Sequence, residues 1–499
     1  MTITLQNTEK GQCYAVKFDR YRQQVVDKLK SSVSIRWWDK QTGAWLIPAT
    51  NKCKAELDQL TYYVRHFEPV QWGTVAQLQT EEDVAFQIPE MPELDGDHGL
   101  KVQPYPYQLQ GIARGLQLKR FINGDDMGLG KSLESIATIN KADAFPCLVI
   151  CPNVVKINWQ REWHKFTDKK AMVLTDSVRD SWPFFWQTGM NQVFIVNYES
   201  LRKYFVRRIT KAEKWTLKDV EFHNTIKLFK SVIIDESHKV KSTATQQTKF
   251  CKGIASGKEY IILLTGTPVV NKPKDLVAQL GIMDRMIDMG GWKGFMLRYC
   301  SGPNQASNLK ELNYRLWKHC FFRREKSKVL TQLPDKVRQI VSCEITNRKE
   351  YMDAERDLID YLKRYKEADD EKIQKSLKGE VMVRIGILKD ITARGKLKEV
   401  IDFVKDFREN GKKIILFCNL HEIVDRLMIA FPSAVCVTGR QNMQEKQASV
   451  DAFQKNPKTD VIICSIKAAS AGITLTAASD VAFIELPWTY ADCDQAESR

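Results

Sequence analysis

Asp125-Asp-Met-Gly-Leu-Gly-Lys-Ser132 (DDMGLGKS) is the stretch on which the reading of this chain turns. A loop of this composition holds polyphosphate. Gly128 and Gly130 let the backbone turn its N–H groups toward anionic oxygens. Lys131 brings a mobile positive charge to the β- and γ-phosphates of ATP, and the Ser132 hydroxyl is a Mg²⁺ ligand. Asp126, Met127 and Leu129 complete the loop and belong to the same nucleotide contact. The residues behind it, LESIATI (133–139), read as a helix whose N-terminal dipole favours the same anion. The strict pattern G-x-x-x-x-G-K-[ST] asks for glycine at position 125, where this chain has Asp125. Taken alone, the loop is therefore also compatible with an ordinary glycine-rich turn.

Working outward, short apolar runs alternate with helical stretches: CLVIC (147–151), VFIV (193–196), SVIID (231–235) and YIILLT (260–265). Val- and Ile-rich runs without polar alternation are buried parallel strands, so residues 100–280 are predicted to be an α/β doubly wound lobe with ligands at the carboxyl ends of its strands. Asp235-Glu236-Ser-His238 follows SVIID. An acid pair there suits nucleotide hydrolysis, with Asp235 holding Mg²⁺ through its water shell and Glu236 orienting and deprotonating the attacking water. The same tetrapeptide alone would be a helix N-cap; its place about 100 residues beyond the phosphate loop, on a buried strand, favours the catalytic reading. Thr265, Gly266 and Thr267 in LTGTP (264–268) close the next strand as a sensor of phosphate state, or as a plain Gly-Pro turn. Residues 281–395 lapse into helices that connect two lobes. Strands then return in KIILFC (413–418), AVCVT (434–438), DVIICS (460–465) and VAFIEL (481–486), giving a second α/β lobe over 396–499.

The chain has 499 residues, 43% of them apolar, enough for about three domains with real cores. Its net charge of +15 suits a polyanionic partner such as DNA, although a solvated basic surface accounts for much of any such excess. The 12 cysteines form no C-x-x-C pair and several lie in strand-like runs, which argues against structural zinc or a disulfide framework and for a reducing, intracellular compartment. No signal-peptide core and no run of about 18 apolar residues occurs, so no membrane association is expected. Residues 1–80 read as a small α+β domain. In it Trp37, Trp38 and Trp45 lie among Lys28, Lys30, Arg36 and Lys40, a mixture that stacks on bases and touches phosphates or else fills a small core. Residues 81–99, acidic with two prolines and two glycines, are a linker or strap. Between VFIV and SVIID stands a cationic insert with Arg202, Lys203, Arg207, Arg208, Lys211, Lys214 and Lys218, read as a DNA contact or as a solvated helix face.

Gln108, DDMGLGKS, CPNVVKINWQREW (151–163), DESH, LTGTP, SAGITLTAASD (470–480) and PWTYADCDQAESR (487–499) together resemble the ordered motifs of Swi/Snf-like, superfamily-two helicase-related DNA-dependent ATPases. The resemblance covers about residues 100–499, and the acidic residue at 125 is itself a mark of that subgroup. It implies two RecA-like lobes, with Gln108 at the adenine and His238 coupling hydrolysis to movement. It also implies that Gly472 and Thr474 contact the nucleotide cleft and the DNA backbone, and that Gln495 and Arg499 begin the arginine-finger motif. Arg323, Lys326, Leu333 and Pro334 resemble the family's inter-lobe pattern. Residues 14–67, with a D-x-x-x-x-x-W-x-I-P-like hairpin from Asp39 to Pro48, resemble the HARP (HepA-related) module of annealing helicases. The implied activity is ATP-driven translocation on duplex or branched DNA. A nucleosome remodeller is one alternative. Because the family's closing motif continues past Arg499 to a second arginine, an ATP-gated DNA-binding module without turnover is another.

Overall fold

The computed structural model describes residues 1–8, 11–67, 69–72, 86–269, 272–301, 305–333, 336–356, 371–466, 473 and 475–498. These divide into two units, Met1–Cys151 with Asn158–Val329, and Pro152–Ile157 with Leu330–Arg499.

The first unit begins with five strands, β1 (Thr2–Thr8), β2 (Gly11–Lys17), β3 (Trp37–Asp39), β4 (Ala44–Pro48) and β5 (Gln71–Trp72). They form a mixed sheet in the order β3-β4-β2-β1-β5, antiparallel except for the β1/β5 pair. Strand alternation decides what each face does. Ile3, Val16 and Ile47 are buried with Val25 and Leu29 of the helix Gln23–Ser32 and with Leu57, Leu60 and Val64 of the helix Asn51–Val64. Cys13, Ala15, Ala44 and Leu46 form a second buried cluster with Trp37 packed on it. The anticipated hairpin and both helices are present; β1 and β5 are additions.

Nine further strands lie in this unit: β6 (Arg120–Asn123), β7 (Cys147–Cys151), β8 (Ala171–Val173), β9 (Val193–Asn197), β10 (Val206–Ile209), β11 (Val220–Phe222), β12 (Ser231–Asp235), β13 (Tyr260–Leu264) and β14 (Phe321–Phe322). Seven make a parallel sheet in the order β14-β6-β13-β12-β7-β9-β8. Val232, Ile233 and Ile234 of its central strand are fully buried, as expected for a strand covered on both faces, each contributing about 1.5–3 kcal/mol through removal from water. The cationic insert combines the helix Leu201–Phe205, which carries Arg202 and Lys203, with a β10/β11 antiparallel ribbon that carries Arg207 and Arg208. Its alternating Val206, Ile209, Val220 and Phe222 keep one side against the lobe core. Residues 86–99 have no helix or strand. They are tied down as a strap, with Asn140 Nδ2 donating to Gly99 O at 2.6 Å and Gln110 Nε2 to Glu93 Oε1 at 2.9 Å.

Part of the stretch read as an inter-lobe insert closes the first sheet. The helices Gly291–Tyr299 and Leu309–His319 bury Phe295, Tyr299, Leu312 and Leu316 in the first unit's core and deliver β14 to its place beside β6.

In the second unit a 39-residue helix, Glu371–Glu409, precedes β15 (Ile414–Phe417), β16 (Val435–Val437), β17 (Val461–Cys464) and β18 (Asp480–Phe483). They form a parallel sheet ordered β16-β17-β15-β18. One core of this unit holds Leu397, Val404, Leu416, Ile423 and Ile463, the other Ile415, Phe417, Ile462 and Leu475. The fold is thus α/β with two parallel-sheet lobes preceded by a small α+β sheet domain. Every cysteine is a free thiol, and Cys147, Cys151, Cys418 and Cys464 are buried in or beside strands. Among the described residues no helix is long and apolar enough to cross a membrane.

Candidate nucleotide site

Parallel pairing places the carboxyl ends of four strands in one row. Phe322 is in register with Asn123, Asn123 with Leu264, and Leu264 with Asp235. Everything that leaves those ends, namely the phosphate loop, the acid pair and the threonine loop, therefore shares one edge.

The phosphate loop is held open by its glycines. Gly128 and Gly130 lie at φ +84° and +89°, and Gly130 is the left-handed residue just before the helix Lys131–Lys141. A Cβ on Gly130 would fall 2.3 Å from Gln108 Nε2, so only glycine fits there. Gln108 itself is buried; its Oε1 accepts from Tyr105 N–H at 2.9 Å and its amide donates to Leu129 O at 3.0 Å. Tyr107 donates to the same carbonyl at 3.1 Å. Lys131 Nζ donates to Asp125 O at 2.8 Å and Asp126 O at 3.2 Å.

Asp125, the departure from the strict loop pattern, is wholly buried and forms an ion triad with Arg324 and Glu134. The Arg324 backbone N–H and Nε donate to Asp125 Oδ1 at 2.7 and 3.1 Å, and Nη2 donates to both Asp125 Oδ2 and Glu134 Oε1. Asn123 Nδ2 holds the other Glu134 oxygen at 2.9 Å. Burial pushes the Glu134 carboxyl well above its ordinary range, with Asp125 adding to the rise and Arg324 opposing it. Asp126 is likewise engaged, by Arg323 Nη2 at 3.0 Å and by the Lys326 N–H at 3.0 Å. Three of the polar residues that resembled an inter-lobe pattern or adjoin it, Arg323, Arg324 and Lys326, thus grip the phosphate loop.

At the end of β12, Asp235 Oδ2 accepts from the Trp159 indole N–H at 2.9 Å and Oδ1 from the Glu236 N–H at 2.9 Å. Burial, then the neighbouring Glu236, raises Asp235 to about 6, against those two donors and Lys131. Glu236 stands in the left-handed region at φ +52°, a conformation that costs a non-glycine residue about 1–3 kcal/mol and clusters at functional sites. His238 Nδ1 lies 3.3 Å from Glu236 Oε2 and 3.3 Å from Thr265 Oγ1. Thr265 is buried and its hydroxyl accepts from Thr267 N–H at 3.1 Å. A Cβ on Gly266 would sit 3.3 Å from Met127 Cε, so the threonine loop and the phosphate loop are in near contact.

Lys131, Ser132, Asp235, Glu236, His238 and Thr265–Thr267 therefore belong to one site, with Gln108, Asp126, Met127, Gly128, Leu129 and Gly130 forming its phosphate-loop wall. Among the described residues no three His, Cys, Asp or Glu side chains converge as a ready metal cage. Mg²⁺ is held by one or two protein oxygens together with phosphates and water. The donor set, the Ser132 hydroxyl with Asp235, fits it, and the buried Glu162 carboxylate acts on both. Trp159, Glu162, Asn123, Glu134 and Arg324 were not expected at the site; the first two lie in the motif CPNVVKINWQREW, in which neither had been given a role.

The remaining anticipated residues fall on other elements or outside the described residues. Trp38 is about half exposed and edge-on to Trp45 at 5.4 Å, while Trp37 packs on the small second cluster of its sheet. Arg202, Lys203, Arg207 and Arg208 line a cavity of about 420 Å³ with Glu199, Val206 and Ile209. Lys203 is paired with Asp176 at 2.6 Å and Arg208 with Glu221 at 2.7 Å; Arg202 and Arg207 have no ion pair among the described residues. Gln495 is buried on the helix Tyr490–Glu497 of the second unit. Gly472, Thr474 and Arg499, and Pro334 with them, lie outside the described residues.

The SNF2-related domain profile matches residues 107–393, and the helicase conserved C-terminal domain matches residues 395–499. The chain is 26% identical over 511 residues to the SWI/SNF-related matrix-associated actin-dependent regulator of chromatin subfamily A-like protein 1 homolog of Caenorhabditis elegans, covering 98% of this chain and 69% of that protein. With the corresponding Xenopus tropicalis protein the identity is 25%, over 99% of this chain and 52% of that one. With the DNA annealing helicase and endonuclease ZRANB3 of Homo sapiens it is 28%, over 80% of this chain and 37% of that protein. The chain thus spans about half or less of the length of these two vertebrate relatives. A solved Sulfolobus solfataricus SWI2/SNF2 ATPase core in complex with dsDNA is similar at 23% identity and a TM-score of 0.39, over 80% of this chain and 84% of that one. A phosphate loop, an acid pair and a threonine loop gathered on one sheet edge, inside a profile match that takes in more than half of the residues, make this chain a member of the SNF2-related family.

Proposed function

We propose that the chain is the motor of a DNA-dependent ATPase that translocates on duplex or branched DNA and rewinds separated strands at forks or bubbles. The observation that carries this reading is the row of strand ends that joins Lys131 and Ser132 to Asp235, Glu236, His238 and Thr265. The loop N–H groups and the dipole of the helix Lys131–Lys141 take the phosphates, and Lys131 exchanges its two loop carbonyls for phosphate oxygens. Ser132 and Asp235 would hold Mg²⁺, which would supply neutralisation of phosphate charge during transfer. Glu236, fixed in the left-handed region beyond the strand, orients the attacking water and receives its proton. Protonation or departure of charge at Glu236 alters its contact with His238, whose Nδ1 also reaches Thr265. Hydrolysis is thereby linked to a loop that touches Met127.

DNA contact falls to the sides of the first unit that carry exposed cations and rings, Arg202 on the helix Leu201–Phe205, Arg207 on β10 and Trp38 in the N-terminal sheet. Gly472, Thr474, Gln495 and Arg499 match the family's DNA- and nucleotide-contact motifs by sequence resemblance. The likeness to annealing helicases ranks fork and bubble rewinding above nucleosome movement. ATP turnover measured with single-stranded, duplex and forked DNA tests the proposal. Turnover stimulated most by duplex–single-strand junctions is expected; turnover indifferent to DNA would end it, and nucleosome sliding that outpaces rewinding would replace it with the remodeller reading.

A further inference from the structure

The helix Lys156–Phe166 brings two side chains, three residues apart and so on one face, to the acid edge of the first sheet. Trp159 donates its indole N–H to Asp235. Glu162 holds Asn158 Nδ2 on Oε1 at 3.0 Å, while its Oε2 is buried and, among the described residues, no donor meets it in full hydrogen-bond geometry. Burial first, and Asp235 in lesser part, raise this carboxylate to about 7, while hydrogen bonding from Asn158 and from the neighbouring Ser132 hydroxyl opposes the rise. Each Asp235 oxygen already takes one N–H, from Trp159 and from the Glu236 backbone. A buried carboxylate oxygen left open beside a phosphate-loop hydroxyl is the kind of unsatisfied polar atom that native proteins keep where a ligand completes it.

We propose that Glu162 is a positioning residue for the Mg²⁺–nucleotide complex: its Oε2 receives the Ser132 hydroxyl proton and so turns the lone pairs of that hydroxyl toward the ion shared with Asp235. The inference rests on the nucleotide-site reading above. It assigns to the NWQREW helix two jobs at one place, Trp159 orienting the aspartate and Glu162 orienting the serine. Outer partners of this kind typically carry about 10–100-fold in metal affinity.

The test is equilibrium binding of a fluorescent ADP analogue to the 499-residue chain, with Mg²⁺ and with EDTA, for wild type, Glu162→Gln, Ser132→Ala and the double variant. Glu162→Gln is expected to lose about tenfold of the Mg²⁺-dependent gain in affinity, to bind as wild type does in EDTA, and to add nothing on top of Ser132→Ala. Retention of the full Mg²⁺ gain overturns the proposal. So does an equal loss with and without Mg²⁺ accompanied by a lower melting temperature, which assigns Glu162 to helix packing. Should Glu162→Gln fail to fold, Glu162→Asp carries the same comparison. Wild-type chain that binds no nucleotide at all would instead remove the nucleotide-site reading, and this proposal with it.

Discussion

Replacing Arg324 with methionine isolates the device that anchors the phosphate loop. Asp125 and Glu134 are 0% and 2% exposed, and Arg324 is the cation that meets both. Methionine keeps most of the side-chain volume, but two carboxylates then face each other in a site with little water. Removing one partner of a buried ion pair costs about 3–5 kcal/mol, because the remaining charge is stranded. At about 2 °C per kcal/mol for a unit of this size, the melting temperature is expected to fall by about 6–10 °C. The pH dependence follows from Glu134, whose folded-state carboxyl is raised by burial first and by Asp125 second, with Arg324 opposing. A group raised on folding contributes stability below its unfolded pKa and loses that contribution as pH climbs through the folded value. Without the guanidinium the folded value rises further, so the deficit of Arg324→Met should be greatest near about pH 8 and narrow toward about pH 5. Adding Glu134→Gln removes one of the stranded charges and should recover about half of the loss. Thermal denaturation of wild type and these two variants across that range measures both effects. An Arg324→Met chain that melts with wild type, or whose deficit ignores pH, would refute the triad's role.

Lys131→Ala should weaken nucleotide binding by about tenfold and lower turnover by at least about 10², measured by fluorescent-nucleotide titration and phosphate release. Glu236→Gln should bind nucleotide normally and lose about 10²–10⁴ in turnover, since only the proton acceptor is removed. Trp159→Phe keeps the buried ring but deletes the indole N–H held by Asp235 at 2.9 Å; loss of a hydrogen bond to a charged group, about 1.5–3 kcal/mol, predicts an affinity for Mg²⁺-nucleotide lower by at least about tenfold, read in the same titration. Arg202→Ala with Arg207→Ala should reduce DNA affinity and flatten its salt dependence by about two counterions, whereas Lys203→Ala and Arg208→Ala, whose charges are already paired, should change it less; DNA-binding titrations at several salt concentrations separate the two pairs.

The parallel sheets were readable because their central strands are unbroken apolar runs such as SVIID and YIILL, for which burial on both faces is the simplest account. Short edge strands were not. Arg120–Asn123 has only two apolar residues between polar ends, and Phe321–Phe322 continues a helix-like stretch, so neither shows a strand period. The phosphate loop, acid pair and threonine loop were visible as motifs, since each needs particular residue types in a local order. What held them together was not, because it acts at long sequence distance: Arg324 meets Asp125 across 199 positions, and Trp159 meets Asp235 across 76. The ion pairs within the cationic insert were hidden for the same reason. Asp176, Asp219 and Glu221, which neutralise Lys203, Lys211 and Arg208, come near them only when the ribbon and its neighbours fold.

The most direct test of the central claim, that the strand-end row is one nucleotide site serving work on DNA, is ATP turnover with and without saturating forked DNA for wild type beside Lys131→Ala. The account predicts that DNA accelerates wild-type turnover and that the variant is inactive under both conditions. Turnover that is unchanged by DNA, or that survives loss of the lysine, would contradict it.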